Sequence, residues 1–517
     1  GRTKGEPPSF SLAEPIGGVF TVVEAPSGDW EAEFKRVQKA AVSGYLSYDW
    51  YRETHRIAAI RDGAIQLLEY SRYGVLNQEK IPRRLVVRNL LCELDQPGEW
   101  YFDEAARTLF LWPYESIHNR TYLGCWSGPS FALLSGACHV TIRDIAVQCT
   151  ATGEGLLVVK GGSDNLVAGC TFRNSTRTGV VLSGGTNNGM VGCDLYDLGS
   201  HLVLEGGETK TLTPAGNYAY NNHLTQVESR DLYGRVRIRG VGNRFQNNLL
   251  HNFVGQPITV GGNDHVLERN EIFNVGFEEG DGGAMYAATG MWTHGTMYRH
   301  NFLHHMMCIP QAHPRGGIYP DHLDAGDTIA GNIFYKCAHR AVLLNGGAGH
   351  VVSHNVFLDG QIGIYQTSAW AQKWYEDEAR FNSGELKRGD ITDHIWRTEQ
   401  VVGKEGWNRP PWSTRYPLFR KIMNQEKMRW WPIECSFTDN LFYGNEENVQ
   451  FRAHWGKDGL IDVSQIEYIT TRNNRDIPLD AFVDPACLDF RFKEGRRPEG
   501  FPGIPFGQIG LVVGPYR

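Results

Sequence analysis

The strongest constraint on this chain is a weak repeat of about 22–31 residues, each unit centred on Asn or Cys followed by two positions, the second of which is apolar in every unit. It reads Cys170-Thr171-Phe172, Cys193-Asp194-Leu195, Asn222-His223-Leu224, Asn248-Leu249-Leu250, Asn270-Glu271-Ile272, Asn301-Phe302-Leu303, Asn332-Ile333-Phe334 and Asn355-Val356-Phe357, then Asn440-Leu441-Phe442 after an interruption. A fixed period in this range marks a solenoid. The unit is too short for a helix pair, and it carries Gly clusters and short β-branched runs, as strands do. One turn of a right-handed parallel β-helix fits, so the fold class is all-β. Stacked coils bring equivalent residues about 4.8 Å apart. An Asn at each bend can then bond to the Asn above and below it, which makes these residues a structural ladder and not a catalytic set. Asn248, Asn270, Asn301, Asn332 and Asn355 are expected in one column.

The period divides the chain. Residues 1–128 lack it and read as a β-rich accessory domain. Its expected strands include 19–23, 44–50 and 56–60, with a hairpin joining Trp100-Tyr101-Phe102-Asp103 to Thr108-Leu109-Phe110-Leu111. Residues 129–370 hold the main coils. Residues 371–432 form a Trp-rich, partly helical insertion, too long for a plain connection and hence a possible lid. Its Trp370, Trp374, Trp407 and Trp412 either stack on sugar rings or pack the insertion against the rod. Residues 433–517 hold the last coils and a tail that caps or crosses the rod.

Composition excludes some partners. Net charge is −7, which argues against nucleic acid and does not favour a strongly anionic substrate. No apolar run is long enough to span a membrane. Ten Cys residues in 517 do not define a disulfide scaffold. Cys170 and Cys193 share one repeat position and can be bridged or remain a thiol pair.

A rigid rod with a lateral groove suits a polymer such as a polysaccharide, although fold alone is only an associational argument. The residues able to carry chemistry fall in two consecutive coils. One holds Gly280-Asp281-Gly282-Gly283-Ala284-Met285-Tyr286, the next Gly316-Gly317-Ile318-Tyr319-Pro320-Asp321-His322-Leu323-Asp324. Aligning 284–286 on 317–319 stacks Tyr286 on Tyr319. Glycoside hydrolysis needs two carboxyl groups flanking the bond, and Asp281 with Asp321 is the leading pair. The glycines beside Asp281 would let a sugar approach the backbone. An Asp next to Gly is also a common turn residue, and a straight strand leaves the two carboxyls far apart. Asp264, His265, Tyr286, Trp292, Tyr319, His322 and Asp324 are expected around the pair as substrate-binding residues. A Ca²⁺ site can be drawn from Asp264, Glu278, Glu279 or Asp281. No ligand spacing supports it, and no metal or cofactor is expected.

The stretches Lys210–Asn217, Gly240–Arg244, Gly261-Gly262-Asn263-Asp264-His265, Asn270-Glu271-Ile272 and Asp281–Tyr286 resemble β-helix proteins of glycoside hydrolase family 141, which includes α-L-fucosidases and xylanases. The similarity extends to Gly98–Asp103, Tyr416-Pro417 and the tail Phe506–Leu511. The resemblance implies a secreted or periplasmic hydrolase of plant, algal or microbial polysaccharide, with its two catalytic carboxylates at Asp281 and Asp321. Those relatives have Tyr-Leu-Asp-Asp where this chain has Tyr319-Pro320-Asp321-His322, which implies a different substrate. Two other functions fit the same fold: a lyase or epimerase acting on a uronic-acid polymer, or a glycan-binding protein without catalysis.

Overall fold

The computed structural model describes residues 12–16, 19–22, 29–37, 39–75, 84–118, 122–124, 128–226, 233–288, 290–306, 315–337, 339–368, 370–387, 394–425, 428–454, 460–461 and 469–517. From Ala132 onward the chain is a right-handed parallel β-helix. Each coil contributes three strands. In one coil these are Ile258–Asn263 on face 1, Val266–Glu268 on face 2 and Glu271–Val275 on face 3. Face 2 forms an 11-stranded parallel sheet, so the described residues make eleven coils. Faces 1 and 3 join into one 21-stranded sheet.

The interior is a stack of apolar columns that includes Leu204, Ile238, Val260, Leu267, Ile272, Met285 and Ile318. Buried parallel strands require such residues because both faces of the sheet are covered. At the bend between faces 2 and 3 the Asn ladder runs as the repeat predicts. The side-chain amides of Asn222, Asn248, Asn270, Asn301, Asn332, Asn355 and Asn440 each donate to the next Oδ1 in the column at 2.9–3.1 Å, ending at Asn474. Each accepting Oδ1 also takes the backbone N–H of the donor residue, at 2.9–3.0 Å. The column therefore satisfies backbone groups that the bend would otherwise strand. Cys193 heads it, donating its N–H to Asn222 at 2.8 Å, and both Cys170 and Cys193 are buried free thiols.

Three additions dress the rod. The accessory domain is a six-stranded antiparallel sheet covered by the helix Trp30–Val37 around a separate core. The hairpin pairs Trp100 with Leu111, as the sequence predicts. The expected strand at 44–50 is a correction: the strand ends at Gly44, and the following segment is a loop that docks on the rod. There Gly280 donates its N–H to Asp49 O at 3.2 Å, and the Tyr45 and Tyr233 hydroxyls are 2.9 Å apart.

The insertion leaves the rod after Ile362–Thr367 on face 1 and re-enters at Cys435–Thr438 on face 2. Its helices include Ala371–Asn382, His394–Val402 and Pro417–Met423. They enclose Trp374, Trp407, Trp412, Phe419 and Trp430 with Met291, Leu323 and Ala348 of the rod. Trp374, Trp407 and Trp412 are thus buried packing residues, and of the four named tryptophans only Trp370 is exposed. The tail crosses the rod lengthwise. Phe482, Phe490 and Phe501 cover the outside of Phe302, Tyr335 and Leu358. Farther back, Asn247 donates to Gln508 O at 2.6 Å, and Val512 donates its N–H to Asn221 at 2.8 Å.

Candidate active site

The site lies on the outer side of face 1. Side chains alternate there, so Ile258, Met285 and Ile318 point inward while Thr259, Tyr286 and Tyr319 form an outward column. The register pairs Tyr286 with Tyr319 across adjacent coils, as the alignment anticipates. Their rings are 5.1 Å apart at 69°. Asp281 sits in the turn before Gly283–Ala287, and Asp321 follows Gly316–Pro320.

The hydrogen bonds cross between coils. The Tyr286 hydroxyl donates to Asp321 Oδ2 at 2.7 Å, and the Tyr319 hydroxyl reaches Asp281 Oδ1 at 3.4 Å. The tyrosine pair therefore links two carboxyls at opposite ends of neighbouring strands. Burial pushes both phenols well above their ordinary pKa, and Asp321 and Asp281 add to the effect. They remain protonated donors. Asp321 is 4% exposed and takes two further bonds at Oδ1, from His322 N at 2.8 Å and Asn345 Nδ2 at 2.7 Å. Asp281 is half-buried.

The turn carrying Asp281 is fixed by a residue that sequence reasoning missed. Arg315 is fully buried, donating to Glu279 O at 2.6 Å and Gly255 O at 3.3 Å. Its place immediately before the Gly316-Gly317 strand was the only available signal. The glycines beside Asp281 are set closely against protein groups. A Cβ on Gly280 would lie 2.0 Å from Asp49 Oδ2, and one on Gly282 would lie 2.7 Å from Gln256 Nε2.

Three expected site residues converge: Tyr286, Tyr319 and His322, whose imidazole Nε2 is 3.7 Å from Asp321. His322 also faces the insertion, 6.3 Å from Trp374 and 6.4 Å from His394 between ring centres. The other four are placed elsewhere. Asp264 forms a two-bond ion pair with Arg415 of the insertion, at 2.8 and 3.1 Å. Trp292 packs against the insertion core. His265 is fully buried in the wall, accepting from Asn243 N at 3.1 Å, and burial lowers its pKa to about 4. Asp324 is buried inside the rod against Asp327. Burial raises Asp324 to about 7, with the Asp321 charge adding to it, and burial together with the Asp324 charge raises Asp327 well above its ordinary value. The acids suggested for Ca²⁺ also separate. Glu278 and Glu279 are buried where their turn meets the accessory domain, with Glu278 O accepting from Arg84. Among the described residues no three His, Cys, Asp or Glu side chains converge on one point.

No family model and no curated protein matches this chain. Solved structures similar to it include a glycoside hydrolase at 12% identity, covering 69% of this chain and 73% of that one with a TM-score of 0.47. XylC in complex with xylose is similar at 10% identity, covering 90% and 74%, with a TM-score of 0.36. A mannuronic acid-specific polysaccharide family 6 lyase from human gut microbiota is similar at 9% identity, covering 69% and 79%, with a TM-score of 0.31. These distant likenesses span several chemistries and do not select family 141. The β-helix itself is assigned from its own sheets.

Proposed function

We propose that this protein is a glycoside hydrolase whose poly- or oligosaccharide substrate lies along face 1, with Asp281 and Asp321 as the carboxyl pair. The observation that carries the proposal is the crossed arrangement in which Tyr286 holds Asp321 and Tyr319 holds Asp281. Two carboxyls supplied by consecutive coils and joined through phenol donors meet the basic need of glycosidic cleavage. Asp321, already accepting three hydrogen bonds, is the acceptor in the reaction: it activates water or attacks the anomeric carbon. Asp281, on the more open side, protonates the leaving oxygen. Such a polymer substrate is met outside the cytoplasm, which supports a secreted or periplasmic location.

A second reading, a lyase or epimerase on a uronic-acid polymer, draws on Arg235, Arg237 and Arg239, which lie at alternate positions on the same face. Incubation with neutral and acidic polysaccharides decides between them. New reducing ends without an ultraviolet-absorbing unsaturated product support the hydrolase. An unsaturated product supports the lyase, and retention of polymer without any product supports a glycan-binding protein.

A further inference from the structure

The chain as a whole is acidic, at −7, yet the face bearing Asp281 and Asp321 carries a set of arginines. Arg237 is neutralised by Glu205 at 2.8 Å. Arg235 and Arg340 have no carboxylate within ion-pair distance among the described residues. The Arg235 Nε is buried without a hydrogen-bond partner. The Arg340 guanidinium lies 3.7 Å over the centre of the Tyr365 ring and is half-buried.

A partly buried guanidinium with no carboxylate at ion-pair distance among the described residues is poorly compensated in the empty protein, although the Asp281 charge attracts Arg340 from farther off. Its contact with Tyr365 is through the ring, and its N–H groups donate to no protein acceptor among the described residues. That planar fork matches a carboxylate or sulfate through two parallel hydrogen bonds.

The two cations bracket the candidate pair. Arg340 stands in register with Gly316, and Gly316 with Gly283, so its two neighbours on the Asp281 side carry no side chain to obstruct it. Arg235 precedes the face 1 strand Val236–Val241, two coils before Tyr286. Four coil rises, about 19 Å, separate the coil that Arg235 opens from that of Arg340. Electrostatics agree with this placement: the Tyr286 hydroxyl feels Arg235, and the Tyr319 hydroxyl feels Arg340.

We infer that the outer side of face 1 takes an acidic polysaccharide, with Arg340 and Arg235 binding carboxylate or sulfate groups of sugars on the two sides of Asp281 and Asp321. This rests on the site assigned under the proposed function. It names the substrate class, which the charge of the whole chain did not favour.

The test is affinity electrophoresis of the full chain carrying Asp281→Asn, so that binding is read without turnover. The gels contain xylan, galactan or arabinan as neutral polymers, polygalacturonate or alginate as carboxylated ones, and carrageenan as a sulfated one. The expected result is retention by a carboxylated or sulfated polymer, and which of the two retains the protein identifies the anion. Retention should weaken with added salt. It should fall about tenfold with Arg340→Ala or Arg235→Ala, the loss expected for one charge-assisted contact. Arg340→Lys should recover only part, because it restores charge without the fork. Circular dichroism establishes that each variant is folded. The inference is overturned if no acidic polymer retains the protein, or if retention is the same in both alanine variants. If the unsubstituted protein releases an unsaturated product from a retained acidic polymer, the hydrolase reading fails and this inference stands. If a neutral polymer is cleaved and no acidic one is bound, the reverse holds.

Discussion

Two polar columns run up the corners of this rod, and they behave differently. At the bend between faces 2 and 3 the ladder is Asn at every coil from Asn222 to Asn474. At the bend between faces 1 and 2 the positions begin as Asn165, Asn188, Asn217 and Asn243, with Asn-to-Asn rungs from Asn165 to Asn188 and from Asn188 to Asn217. The column then changes to His265, Thr296, Asp327, His350 and Cys435. The first column has one task, the satisfaction of backbone at an identical turn. The second changes composition in the coils where the insertion docks and Asp321 emerges. There the bend must also support side chains beyond the wall, so no single residue type suits every level.

The largest expected effects separate the site from the ladder. Asp321→Asn and Asp281→Asn should each lower turnover at least about a hundredfold, the low end for a positioned acid or base, with little change in melting temperature. Asn301→Ala should do the opposite. It removes the acceptor of Asn270 N and Nδ2, both at 2.9 Å, and should cost roughly 1–3 kcal/mol while keeping the activity of the folded fraction. Denaturation curves and steady-state rates on the same samples check both. Near-normal turnover in the two Asp variants would remove them from the site.

The contrast also explains what was legible in the sequence. The Asn column could be read because one residue type recurs at one position. Asp281, Asp321, Tyr286 and Tyr319 could be read because adjacent coils carry alignable words. The second column could not, since His265 and Asp327 perform an Asn-like task in different chemistry. That is why His265, Asp264 and Asp324 resembled groove residues and proved to be wall, clamp and interior. Asp264 meets Arg415, 151 positions away, a pairing without local signal. The insertion tryptophans were ambiguous because a 62-residue segment needs its own core, and large aromatics are the economical way to build one.

The buried acid pair gives a smaller effect, with a pH signature. Asp324 is raised to about 7 and Asp327 well above its ordinary value, chiefly by burial. The native state therefore holds protons that the unfolded chain releases above the ordinary carboxylate range. Stability from this pair is fully present below that range and falls as pH rises toward about 7 and beyond. Each retained proton contributes a slope of up to about 1.4 kcal/mol per pH unit. Asp327→Asn, whose amide imitates the protonated acid, should flatten the fall. Chemical denaturation of both proteins between acid and neutral pH checks it. A parallel pH dependence in the two proteins would mean that Asp324 and Asp327 do not share a proton.

The smallest expected effect is the sharpest comparison of the columns. His265 Nδ1 accepts from Asn243 N at 3.1 Å, and its Nε2 lies 3.2 Å from Gly261 O, four residues back. One coil earlier Asn243 makes the same backward contact, donating Nδ2 to Arg239 O at 2.8 Å. The neutral imidazole thus takes the donor role of Asn243 and the acceptor role that Asn188 and Asn217 play in earlier coils, and its lowered pKa keeps it uncharged at neutral pH. His265→Asn should preserve both bonds and change stability by less than about 1 kcal/mol, since only packing volume differs. His265→Ala should cost roughly 1–3 kcal/mol, because it leaves the buried N–H of Asn243 unpaired. Neither should alter the turnover of folded protein, as the ring does not reach the outer side of face 1. If His265→Asn folds normally but loses turnover or polysaccharide retention, the changed composition of the second column belongs to the site, and wall and outer side of face 1 are not separate.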